Sequence, residues 1–152
     1  MNKQGKKFIK TNNIIKLEKQ IRKLNKQLTN IRHNYIHNIT SKIVEQKPSY
    51  ITIEDLNVKG MMKNHHLSKA VVQQCFYEIK RQLGYKCKWN NIELRVVDRF
   101  YPSSKMCSEC GNIKKDLKLS DRIYICRKCG CILDRDKNAS YNLRDAKLYK
   151  VA

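Results

Sequence analysis

Acidic residues are scarce in this 152-residue sequence. Thirteen Asp and Glu stand against 33 Lys and Arg, which gives a formal net charge of +20 and a pI near 9.8. Charge so strongly of one sign favours polyanionic partners, nucleic acid or an anionic membrane surface. Long apolar runs are missing too: no uncharged stretch approaches the roughly 18 residues needed to span a bilayer. Residues 1–13 carry Lys3, Lys6, Lys7 and Lys10 with no continuous apolar segment, so they do not form a secretory signal. These absences argue against an integral membrane protein and a secreted disulfide scaffold, although seven cysteines are present. Internal repeats and low-complexity tracts are also absent. With 41% hydrophobic residues the chain is too apolar to be wholly disordered, and its length suits one domain with room for a small satellite.

Proline and glycine are few at the front, where Gly5 is the only one of either before Pro48. Residues 1–50 hold 12 Lys and Arg against Glu18 and Glu45, half of the total net charge. Within them Leu17, Ile21, Leu24, Leu28, Ile31 and Tyr35 alternate steps of four and three. That heptad seam predicts a long basic amphipathic helix over 1–47, with Lys19, Arg22, Lys23 and Lys26 on its other faces. The helix packs its seam on a neighbour or also touches phosphates. A membrane-surface role fits less well because the seam lacks Trp and Phe.

Beyond Pro48, Tyr50-Ile51-Thr52-Ile53 reads as a short buried strand ending at Glu54-Asp55. Leu67, Val71, Cys75, Ile79 and Leu83 form an i, i+4 row that predicts one helix ending at Gly84, with Cys75 a small core residue. Tyr85, Cys87 and Trp89 alternate with lysines, and Ile92, Leu94 and Val96 alternate with charged residues. They predict two strands joined by a turn at Asn90-Asn91. A last helix is expected from Asn138 to Lys150, started by Asp136. Strand, helix and strand in this order predict an α/β core.

Two C-x-x-C knuckles, Cys107/Cys110 and Cys126/Cys129, are 15 residues apart, and each is followed by a glycine, Gly111 or Gly130. Four thiolates at this spacing supply a closed tetrahedral Zn²⁺ site, and with every position taken by protein the metal is structural. Iron fits the ligands as well. Cys131 is expected to be a spectator. Two acidic groups stand out besides: Glu54-Asp55 at a strand end and Asp134-Arg135-Asp136 before a helix. Converging carboxylates hold Mg²⁺ ions in phosphodiester cleavage. The plainer readings are a solvated strand end and, for Asp136, a helix N-cap.

Taken in order, Glu54-Asp55-Leu56-Asn57-Val58, Tyr101-Pro102-Ser103-Ser104-Lys105-Met106-Cys107, Cys126-x-x-Cys129-Gly130 and Asp134-Arg135-Asp136-Lys137-Asn138-Ala139 closely resemble the C-terminal half of the TnpB (OrfB) proteins of bacterial insertion sequences, relatives of the type V CRISPR effectors. The resemblance implies a partial RNase H-like (RuvC) core over 48–103 and 132–152, interrupted by a zinc ribbon over 104–131. It also implies a Mg²⁺-dependent nuclease that cuts DNA under an RNA guide in the bacterial cytoplasm. Glu54 then matches the carboxylate of the second RuvC motif, Asp136 that of the third, and Cys107, Cys110, Cys126 and Cys129 the zinc ligands. Asp134 is the weaker match for the third motif, and Asp98 matches none. The first catalytic Asp motif of the family has no counterpart before Glu54. The sequence therefore predicts a truncated transposase-like protein that binds DNA or RNA and does not cleave alone. Two alternatives are an active nuclease complemented by a chain carrying the missing carboxylate, and a stand-alone zinc-ribbon binding module.

Overall fold

The computed structural model describes residues 10–118 and 120–152, so Lys3, Gly5, Lys6 and Lys7 lie outside the described residues. The chain divides into two compact units, 1–39 and 40–152. The first helix, α1 (Asn12–Glu45), is uninterrupted because nothing from Asn12 to Glu45 breaks it. The Thr11 hydroxyl accepts from the backbone N–H of Ile14 at its start. At its end Lys47 turns to positive φ ahead of Pro48. In the first unit the predicted seam, Leu17 to Tyr35, lies on α1 as expected, but it is exposed rather than packed.

The second unit is built on a three-stranded sheet in the order β1-β2-β5. Here β1 is Tyr50–Glu54, β2 is Glu93–Val97 and β5 is Lys150–Val151. β1 and β2 run parallel, with Tyr50 beside Glu93 and Glu54 beside Val97. β5 closes antiparallel on the far side of β2. This arrangement is α/β, as predicted. Alternation along β1 sends Ile51 and Ile53 into a core of Val44, Leu83, Cys87, Ile92 and Leu94, while Tyr50, Thr52 and Glu54 face the other side. Arg95 on β2 is sandwiched by aromatic rings, 3.6 Å from the Tyr50 centroid and 4.4 Å from that of Tyr149. That stack secures the two-residue β5 in place.

The helices between β1 and β2 depart from expectation. After an unpredicted short helix, α2 (Val58–Met62), the predicted single helix is two: α3 (His65–Gln74) and α4 (Phe76–Trp89). Asn57 and Asn64 cap α2 and α3 through their side chains. Cys75 sits at φ 52° between α3 and α4, a half-buried left-handed corner rather than a core position. The predicted strand through Tyr85, Cys87 and Trp89 is the last turn and a half of α4, which runs straight through Gly84. A mid-helix glycine costs about 1 kcal/mol against alanine. Burial of Ile79, Leu83 and Cys87 at helical spacing outweighs it. The turn at Asn90-Asn91 exists, with Asn91 at φ 53°, but joins α4 to β2. No helix among the described residues is long and apolar enough to cross a membrane.

Candidate functional site

The ribbon grows from residues that leave β2. Pro102, Ser103 and Met106 form a turn, and Met106 bridges to Ile113 to frame the first knuckle. A small antiparallel pair, β3 (Ile123–Ile125) and β4 (Ile132–Asp134), frames the second. Each knuckle closes identically. Gly111 N–H bonds to Cys107 C=O at 2.9 Å, and Gly130 N–H to Cys126 C=O at 3.0 Å. Both glycines stand at positive φ, 70° and 74°, the role their position predicted.

The four expected thiols converge: Cys107, Cys110, Cys126 and Cys129 place their Sγ atoms within 4.8 Å of one another. They are the one group of three or more His, Cys, Asp or Glu ligand atoms so gathered among the described residues. The backbone N–H groups of Cys129 and Lys128 point at Cys126 and lower its thiol to about 6, a site prepared for thiolate. At Cys129 the N–H of Cys131 acts in the same direction, but the neighbouring thiols of Cys110 and Cys126 outweigh it and hold the group up at about 12. Tyr124, fully buried beneath them, is pushed up to about 12 by burial and the surrounding sulfurs, and its hydroxyl bonds to Lys105 C=O and Asn112 C=O. Cys131 stays outside the cluster, as expected.

The carboxylates are arranged differently. Glu54 ends β1 and accepts a 2.5 Å hydrogen bond from Ser103 Oγ. Asp55 is committed to cations, with Arg99 at 2.7 Å and Lys80 at 3.4 Å holding its carboxyl below the usual range. Asp136 lies in the first turn of α5 (Arg135–Arg144), largely exposed and paired with Arg135 at 3.3 Å. It is not the N-cap. Asp134 is, accepting from the N–H groups of Asp136 and Lys137, and the helix ends at Arg144 rather than Lys150. α5 lies along β1, where Tyr50 donates to Arg144 C=O at the ends away from Glu54 and Asp136. Neither Glu54 nor Asp136 belongs to a group of three or more converging ligand atoms among the described residues.

Sequence reasoning missed the polar joint between ribbon and core. Asn138 is fully buried; its Nδ2 donates to Met106 C=O at 2.7 Å and its Oδ1 accepts from Ser108 N–H at 2.9 Å. Asn142 Nδ2 donates to Ser103 C=O and Met106 C=O. Two asparagines four residues apart share one helix face, and that spacing was the available signal.

Comparison with known proteins agrees with this geometry. Residues 76–143 match the Cas12f1-like, TNB domain family. A Streptomyces pristinaespiralis protein bearing an RNA-guided DNA endonuclease name is 35% identical over 133 residues, covering 88% of this chain and 33% of that protein. The TnpB-like protein L79 of Acanthamoeba polyphaga mimivirus is 31% identical over 134 residues, 84% of this chain and 25% of the relative. The chain is similar to TnpB-like proteins. It spans a third or less of the length of these two relatives. Its fold is similar to Cas12f1 as seen in the cryo-EM structure of the Cas12f1-sgRNA-target DNA complex, with a TM-score of 0.69 at 24% identity over 88% of this chain and 39% of that one.

Proposed function

We propose that this chain is a zinc-ribbon nucleic-acid-binding segment of the RNA-guided DNA endonuclease kind, working in the bacterial cytoplasm, and that alone it does not cleave DNA. The observation that carries the reading is the contrast between a complete four-thiol cluster and an incomplete carboxylate set. Four soft sulfur donors fit Zn²⁺ in ligand number and type, and Cys107, Cys110, Cys126 and Cys129 would hold it. Bound there, zinc supplies structure and no open coordination position. The carboxylates do not fit a Mg²⁺ pair as they stand. Glu54 and Asp136 are kept, but Asp55 is neutralised by Arg99 and Lys80, and Asp134 is spent capping α5. Two-ion phosphodiester cleavage needs ligands that hold both ions at once. The domain reading follows the same lines: a basic segment over 1–47 that contains α1, a partial RuvC-like core over 48–103 and 132–152, and the ribbon over 104–131.

Basic residues on α1, including Lys16, Lys19, Lys23 and Lys26, are offered to phosphates of DNA or a guide RNA. A mobility-shift assay across a salt series, paired with a Mg²⁺ cleavage assay on single- and double-stranded DNA, tests the reading. Binding that weakens steeply with salt, without cleavage, supports it. Cleavage abolished separately by Glu54→Ala and Asp136→Ala overturns it.

One observation favours complementation as a second reading. β1 bonds only to β2, so the edge beside Glu54 is open among the described residues. A strand bringing the missing carboxylate in another polypeptide has an edge to pair with.

A further inference from the structure

Every residue of the α1 seam is between 48% and 66% exposed: Leu17, Ile21, Leu24, Leu28, Ile31 and Tyr35. A row of six large apolar side chains over five helical turns is far more than scattered surface hydrophobicity. Its period of 3.5 is that of helices wound around one another.

The seam's flanks identify the occupant. With Ile21, Leu28 and Tyr35 in one core position of the heptad and Leu17, Leu24 and Ile31 in the other, the positive charges fall outside the contact. Lys16, Lys19, Arg22, Lys23 and Lys26 all take outward positions. One flank is neutral, with Gln20, Gln27 and Asn34. The other holds Glu18, Asn25 and Arg32, one charge of each sign. A helix carrying this much basic charge ordinarily repels a copy of itself; here the repulsive groups are kept away from the seam.

We propose that two copies of this chain pair through α1 as an antiparallel coiled coil. In the symmetric antiparallel register Leu17 layers on the partner's Tyr35, Ile21 on the partner's Ile31 and Leu24 on the partner's Leu28. The same register brings Glu18 beside the partner's Arg32 twice, by symmetry, and Asn25 beside its own copy. The parallel arrangement has no such pairing. It sets Glu18 against Asn13 and Arg32 against Gln27, and stacks Tyr35 on itself. Glu18 already holds surface ion pairs with Lys10 and Arg22, and exposed pairs of this kind exchange at little cost. In the dimer the outward lysines form a continuous basic surface on both helices.

Sedimentation equilibrium of the nucleic-acid-free chain, from low micromolar to about 100 μM, reads the association. A concentration-dependent rise from 18.0 kDa to twice that mass is expected. Leu24→Lys should weaken association by about a hundredfold, as two apolar layers are lost. Circular dichroism should show its helix content kept, because Leu24 is exposed in the single chain. Orientation is read by charge reversal. Glu18→Arg and Arg32→Glu should each weaken the dimer roughly three- to tenfold by placing like charges together, and the double reversal should restore it. A monomer at every concentration overturns the proposal, as does a dimer indifferent to Leu24→Lys. A dimer that either single reversal leaves unchanged, or that the double reversal fails to restore, overturns the antiparallel pairing.

Discussion

Ser103 donates its hydroxyl proton to Glu54 across 2.5 Å, joining the loop that enters the first cysteine knuckle to the end of β1. Ser103 is itself held by Asn142, which bonds to its carbonyl. A candidate catalytic carboxylate on the sheet is therefore oriented by the base of the ribbon. The loop that leads into the ribbon, held from α5 by Asn142, thus fixes the surroundings of Glu54.

Zinc content is the most direct check on the thiol cluster. The purified chain should carry one Zn²⁺, and Cys110→Ser or Cys129→Ser should reduce it well below one per chain. Loss of the dispersed amide resonances of the ribbon should accompany this, because ligand binding and ribbon folding are linked. Full zinc content in both variants would refute the assignment.

Asn138→Ala should be among the most damaging single changes outside the cysteines. It removes two hydrogen bonds and strands Met106 C=O and Ser108 N–H at a fully buried site. The expected loss is about 2–4 kcal/mol, measured by denaturant unfolding. Asn138→Asp should recover little, since a carboxylate accepts from Ser108 but cannot donate to Met106.

Thr52→Val should act in the opposite direction. Thr52 Oγ1 is buried on β1 with no hydrogen-bond partner among the described residues. Replacing the hydroxyl with a methyl of similar shape removes a desolvated polar atom and suits a strand. A gain of about 1 kcal/mol in the same unfolding experiment is expected.

Acid should reveal the role of Asp55. Arg99 and Lys80 hold its folded pKa below 3.8, so the folded state binds this proton less readily than the unfolded state does. The stabilisation is therefore fully present above 3.8 and fades as pH falls through the depressed value. Asp55→Asn should be less stable than the parent at pH 7, and the two stabilities should converge in strong acid. A constant gap from pH 7 to pH 2 in urea melts would show that the ion pairs contribute nothing.

Legibility in the sequence tracked how local the cause was. The two knuckles could be read because chelation sets both spacing and glycine position, and β1 because proline and acids bracket a β-branched run. The stretch 85–89 misled because Tyr85, Cys87 and Trp89 also satisfy a period of two, whereas contact of Cys87 with Leu83, Ile92 and Leu94 decides for helix. The corner at Cys75 had no signature, since a non-glycine residue at positive φ is imposed by its surroundings. Asp136 looked like the cap because either aspartate of Asp134-Arg135-Asp136 can serve, and only the backbone direction at Asp134 separates them. Asn138 and Asn142 are polar, so a pattern search that assigns burial to apolar residues passes over them.

The ribbon's place in the chain also bears on how the sheet assembles. β2 and β5 are neighbours, yet 98–149 lies between them, and closing a loop of about 50 residues carries a substantial entropic cost. A closed ribbon pins Cys107 to Cys129, which are 22 residues apart, and shortens the effective loop to about 30. By the logarithmic law this saves only about half a kcal/mol. Chain entropy therefore couples ribbon to sheet weakly, and the asparagine joint carries the rest. In refolding, a ribbon that closes early should speed the arrival of β5 by little more than a factor of two, unless α5 docks through Asn138 and Asn142 in the same step.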